Sequence, residues 1–147
     1  MMSESFANCV PLVACCIAVF HDLRTREIPD WLPILMILLF TLRWILGGAS
    51  LPWWHHIGGG LVALAIGLVV GYGDRFGGGD IKLFATIGLW FGLFAVVPLA
   101  LWIAIAGLPL AVIAAARKQN DFAYAPAILV GVCVHVWAPN LLQQLAS

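Results

Sequence analysis

The chain is predicted to be an all-α membrane protein, a single domain of six transmembrane helices across residues 1–147. Three observations predict it. Of 147 residues, 63% are hydrophobic and only 10% charged, where a soluble domain carries about 25% charged residues. The mean hydropathy is +1.04. The few basic residues fall where a six-span topology would put them.

The spans read in order as 6–20, 31–46, 57–72, 81–92, 93–116 and 122–137. The first resembles a signal segment, since Leu12-Val13-Ala14-Cys15 looks like a lipoprotein cleavage box. However, no basic residue precedes the apolar run, and the run continues past Cys15 to Phe20, so it is read as a retained span. The stretch from Ile81 to Ala116 is too long for one crossing and suits two short ones, with the turn expected near Gly92. Several spans are short, which implies tilting or local thinning of the bilayer.

With the N-terminus outside, the inner loops are 21–30, 73–80 and 117–121. Six of the seven basic residues (Arg24, Arg26, Arg75, Lys82, Arg117 and Lys118) then lie in or beside these loops, and only Arg43 lies toward the outer side, as the positive-inside rule requires. A count of five would place Arg117 and Lys118 outside. Trp53, Trp54, Trp90 and Trp137 are expected at the outer interface and Trp31 at the inner one. In the third span Gly59, Ala63, Gly67 and Gly71 recur every four residues, and Gly88 and Gly92 repeat the spacing in the fourth, a stripe that predicts close helix packing.

Zero net charge argues against a nucleic-acid partner. Cys9, Cys15, Cys16 and Cys133 form no CxxC pair and read as small apolar residues. His55-His56 falls on the outer side and reads as a polar interfacial pair rather than a metal site. No metal or cofactor is expected.

The inner loops hold the chemistry. Asp22 closes the first span, and Asp80 opens the fourth after Gly77, Gly78 and Gly79. Both reach one membrane face at similar depth, where ionisable groups are costly and are functional candidates. Two carboxylates brought close share a proton. The ionised one can draw a proton from water attacking a peptide carbonyl, while the protonated one polarises that carbonyl and protonates the leaving amine. The alternative from composition and spacing alone is that both only cap helices or pair with Arg24, Arg26 or Arg75.

Gly77-Gly78-Gly79-Asp80-Ile81-Lys82-Leu83 resembles the GxGD-x-K-L element of the type IV prepilin peptidases, a family of membrane aspartic proteases. Asp22-Leu23-Arg24 followed by Ile28-Pro29 resembles their other catalytic element. Phe122-Ala123-Tyr124-Ala125-Pro126-Ala127, followed by Gly131, is similar to their last-span element. Asp30 stands where the family usually has Asn, and Ala123 replaces a usual proline. The resemblance implies that Asp22 and Asp80 are the catalytic pair. It also implies cleavage of a short basic leader from prepilin or pseudopilin precursors, on the cytoplasmic side of the bacterial inner membrane, just before an apolar helix. Without the family's cysteine-rich insert, the chain resembles the short, cleavage-only form of tight-adherence (Flp-type) pilus systems, with no methyltransferase activity expected.

Gly71-Tyr72-Gly73-Asp74 also fits GxGD. Asp74 is followed by the loop Arg-Phe-Gly-Gly-Gly, whereas Asp80 opens an unbroken span that can hold a carboxylate rigidly. Asp80 is therefore preferred, with Asp74 pairing with a loop base or contacting the leader. The three glycines are expected to permit positive φ and close approach of a substrate strand. Because the helix macrodipole favours an anion at the helix start and disfavours one at its end, Asp80 is expected to be the ionised base and Asp22 the protonated acid. Lys82 is read as a headgroup anchor or a group that tunes Asp80. Glu27 and Asp30 either attract the leader or are solvated loop charges. Pro98, Pro109 and Pro126 are candidate kinks.

Two rival readings are a small transporter or channel subunit with Asp22 and Asp80 as proton relays, and a non-catalytic secretion-system assembly subunit. The first predicts acidic residues deep within spans and internal symmetry between halves. The second predicts loss of one aspartate, yet both are present.

Overall fold

The computed structural model describes residues 4–49, 51–72, 77–116 and 124–145. Its six helices are α1 (Glu4–Thr25), α2 (Trp31–Ile45), α3 (Trp53–Val70), α4 (Gly78–Phe91), α5 (Leu93–Ala116) and α6 (Ala125–Leu145). The protein is all-helical, with no strand among the described residues. Windows in α1, α3 and α5 are each long and apolar enough to cross a membrane, and shorter apolar stretches lie in α2 and α6. Helices α2 and α4 have 15 and 14 residues, so each rises only roughly 21–22 Å against a hydrocarbon core of about 30 Å.

The surface is inverted relative to a soluble protein. Val69 and Phe94 are 77% and 80% exposed, while the buried set includes Asp22, His55, His56, Asp80 and Thr86. Apolar side chains outside and polar ones inside suit a lipid solvent. The centre is filled by Leu32, Met36, Leu83, Ile87, Leu99 and Ile128.

Small residues set the helix spacing. The α3 stripe packs on α4: a Cβ on Gly59 would strike the carbonyl oxygen of Gly88, one on Gly88 would come 2.5 Å from Ala63 Cβ, and one on Gly67 would come 3.0 Å from Ile81. Gly131 of α6 likewise receives Ile103 of α5.

The apolar run 81–116 breaks at Gly92, which has φ +87°, a left-handed value that glycine adopts without a Cβ penalty. A helix break in an apolar environment strands backbone groups, and the two histidines of α3 meet them. His55 Nδ1 accepts a hydrogen bond from the Leu93 N–H at 3.2 Å. His56 Nδ1 lies 3.0 Å from the Leu89 carbonyl oxygen and donates to it, which fixes its tautomer. Both rings are 4% exposed, so the pair is a buried structural clamp.

Other expectations are corrected as well. Trp90 is 3% exposed, packed against Phe40 and beneath the Arg43 guanidinium; it is part of the interior, whereas Trp31, Trp53, Trp54 and Trp137 are exposed. Pro98 and Pro109 both lie inside α5, where a kink is expected. Pro126 is the second residue of α6, where its missing N–H removes no helical bond.

Candidate active site

One end of the bundle gathers the end of α1, the loop 26–30, the start of α4 and the start of α6. Helix α1 closes with Arg26 in the left-handed region, φ 55°, its N–H donating to the Asp22 carbonyl at 2.9 Å. This turns the chain into residues 27–30, which return over the first turn of α4. The return needs Gly79: a Cβ there would stand 2.8 Å from Ile28 Cβ and 3.3 Å from the Ile28 backbone. Ile28 itself is buried. Gly77 has φ −61° and caps α4, and neither Gly78 nor Gly79 has a positive φ. The glycine run thus serves close packing of this chain's own loop at Gly79, and the expected positive φ is not used.

A cavity of about 460 Å³ results, lined by residues that include Asp22, Glu27, Asp30, Gly77, Gly79 and Asp80. Asp22 and Asp80 are 5% and 7% exposed, so their partners distinguish them, not their accessible area. Asp22 Oδ2 accepts a hydrogen bond from the Ala125 N–H at 3.0 Å, and the Tyr124 N–H also reaches it, with the Arg26 charge nearby. The start of α6 therefore presents its unpaired N–H groups and positive dipole end to Asp22. Asp80 accepts one backbone hydrogen bond, from Gly77, and its Oδ1 is buried without a partner.

Asp80 lies just before the apolar segment 81–92. Burial, reinforced by the Asp22 charge and partly offset by the Gly77 bond, pushes its carboxyl up to about 7. Burial at Asp80 thus opposes the preference for an anion that its helix end provides. It favours the protonated form of Asp80 near neutrality, while Asp22, equally buried, has the N–H groups at the start of α6 beside it. The dipole at the start of α4 is worth about 0.3–1 kcal/mol at exposed sites, less than the desolvation of a buried carboxylate.

The remaining sequence candidates are distributed as follows. Lys82 Nζ lies 2.6 Å from Asp30 Oδ1 in an exposed ion pair, so Lys82 engages the α1–α2 loop. Gly78 has open space where a Cβ would stand. Glu27 is exposed on the cavity rim. Asp74 lies outside the described residues. No cluster of three metal-ligating residues occurs among the described residues.

Sequence reasoning underrated Tyr124. Its backbone holds Asp22, its side chain lies close enough to interact with the Asp80 charge, and its hydroxyl packs where a Cβ on Gly107 would be. The signal was the Tyr-Ala-Pro stretch that opens the last span.

Apolar helices enclosing two buried carboxyls at one end of the bundle define a polytopic membrane protein with a two-aspartate site. Residues 9–115 match the type IV leader peptidase family, and the chain belongs to that family. It is 29% identical over 126 residues to a prepilin leader peptidase/N-methyltransferase of Neisseria gonorrhoeae, an alignment covering 76% of this chain and 41% of that relative. The chain thus spans less than half the length of the curated relative it matches. No solved structure matches it.

Proposed function

We propose that this chain is a membrane aspartic endopeptidase that removes short basic leaders from prepilin-like precursors at the cytoplasmic edge of the bacterial inner membrane. The observation that carries the reading is the shared cavity of Asp22 and Asp80, in which one carboxyl is pushed up to about 7 and the other rests on backbone N–H groups. A dyad with one proton can run amide hydrolysis without a cofactor. Asp22 takes a proton from water as the water oxygen bonds to the scissile carbonyl carbon. Asp80 gives its proton toward the carbonyl oxygen. As the C–N bond of the tetrahedral intermediate breaks, a proton passes to the leaving amine.

The acidic rim suits a basic leader, since Glu27 borders the cavity and Asp30 joins it. The loop between α1 and α2 spans only residues 26–30, and the proposed activity is cleavage alone. Co-expression with prepilin precursors tests the proposal. Leader removal is expected from the parent chain and from Asp74→Asn, and is expected to vanish with Asp22→Asn or Asp80→Asn. Cleavage that survives Asp80→Asn but not Asp74→Asn moves the site upstream, and cleavage that survives both dyad variants ends the reading.

A further inference from the structure

The seam that holds the cavity continues down the side of the bundle. The 26–30 loop and α2 form one wall, and α4 forms the other. Below the cavity an apolar groove of about 390 Å³ opens between them, lined by Asp30, Ile34, Ile37, Lys82 and Ala85 among others, with Leu64 of α3 also lining it. Asp30 lines both spaces, and its ion pair with Lys82 spans the seam at their junction. Beyond that pair the walls are mostly hydrocarbon. Ile34 and Ile37 are 57% and 45% exposed and, three apart on a helix, share one face.

A second apolar groove, about 340 Å³, lies on the other side of α2 against α1, where Val13, Leu35 and Leu39 line it. None of its lining residues lines the cavity. The two grooves therefore differ in continuity with the dyad, and α2 gives exposed residues to each, Ile34 and Ile37 to one and Leu35 and Leu39 to the other.

Resting on the peptidase reading above, we propose that the apolar helix following the scissile bond is seated in the α2–α4 groove. A substrate cut beside Asp80 must leave the polar cavity for hydrocarbon within a few residues. The shared Asp30 makes the α2–α4 groove the direct exit, and the Asp30–Lys82 pair marks the level at which a substrate's polar leader gives way to its apolar helix. An apolar helix laid on the Ile34–Ile37 face is a helix-in-groove contact, here inside the bilayer, where fit depends on van der Waals packing.

The probe is a prepilin precursor that the parent chain cleaves. A benzophenone amino acid is placed in turn at Ile34, Ile37, Leu35 and Leu39 of the Asp80→Asn chain, which retains uncleaved precursor. Covalent adducts with the precursor are expected from Ile34 and Ile37 at least about fivefold above those from Leu35 and Leu39. In the otherwise unmodified chain, Ala85→Trp is expected to fill the groove and raise KM about tenfold or more, while Leu39→Trp leaves KM within about twofold. Adducts mainly from Leu35 and Leu39 overturn the proposal in favour of the α1–α2 groove. Adducts from neither pair overturn it in favour of lipid as occupant. Either result leaves the peptidase reading standing, whereas a parent chain that cleaves no precursor removes both.

Discussion

The Asp22 carboxylate accepts a hydrogen bond from the backbone N–H of Ala125, 103 positions away, at 3.0 Å. A side chain at the end of α1 thus caps the start of α6 and ties the first helix to the last. The cap and the proposed chemistry can be separated by substitution. In Asp22→Asn the amide oxygen still accepts the N–H, so stability is expected to stay close to the parent while cleavage falls by about 10²–10⁴-fold. Asp22→Ala is expected to lose the same activity and a further 1–2 kcal/mol or so of stability, the typical worth of an N-cap acceptor. Thermal unfolding in detergent beside a cleavage assay checks both; equal stability of the two variants would deny the cap.

The raised carboxyl of Asp80 sets a pH dependence. A dyad that works with one shared proton loses it as pH rises through the pKa of its protonated member, so cleavage is expected to decline above about pH 7, where Asp80 deprotonates. The decline should appear in kcat, measured with a precursor whose own groups do not titrate in that range. An activity that is flat from pH 6 to 9 would place the proton elsewhere.

The same shift is a statement about stability. A carboxyl raised from 3.8 to about 7 on folding binds more protons in the folded state between those limits. Its ionisation therefore costs stability progressively as pH rises through that window. Asp80→Asn, which carries no charge, is expected to unfold at a higher temperature than the parent at pH 8, by a margin on the order of 2–4 kcal/mol. The margin should shrink as pH is lowered toward 5. An inactive variant more stable than its parent is the signature of a group retained for chemistry.

The glycines ahead of Asp80 are expected to differ sharply. Gly79→Ala brings a methyl group to 2.8 Å from Ile28 Cβ, and the 26–30 loop must lift from α4, displacing a wall of the cavity that both aspartates line. Activity is expected to fall at least tenfold, since small misplacements in a site are costly. Gly78→Ala meets nothing within 4 Å and is expected to stay within about twofold of the parent. Equal effects at the two positions would show that backbone freedom, not packing, is what the run supplies.

The contrast between these glycines shows what could be read from the chain. Composition and spacing revealed the membrane class, the α3 stripe and the break at Gly92, because each follows from a side-chain pattern that repeats or stops. They also pointed to Asp22 and Asp80 at one end of the bundle, where the structure brings them into one cavity. What could not be read were contacts made by backbone. The N–H groups of Tyr124 and Ala125 leave no mark in composition, yet they supply the hydrogen bonds that hold the Asp22 carboxyl. Trp90 was misread for a related reason. An indole suits an interface or an interior equally well, and only the Arg43 and Phe40 contacts distinguish the two. Lys82 looked like a headgroup anchor because its partner, Asp30, lies 52 positions away.

The histidine clamp offers a prediction independent of catalysis. His55 and His56 sit at the first turn of α3 and serve the α4–α5 break, where Leu93 N–H and Leu89 C=O would otherwise be left in apolar surroundings. Replacing either ring with alanine strands one backbone group, a loss of about 1–3 kcal/mol, and opens space beside Phe40 or Phe94, which pack on the rings. Neither histidine lines the aspartate cavity. His55→Ala and His56→Ala are therefore each expected to lower the unfolding temperature while leaving kcat per folded molecule within about twofold of the parent. In His56→Gln the side-chain amide can still donate to the Leu89 carbonyl and is expected to recover part of the loss. A chelator is expected to change neither stability nor cleavage, since Nδ1 of each ring is engaged by backbone. Chelator sensitivity that disappears in the alanine variants would instead make the pair a metal site.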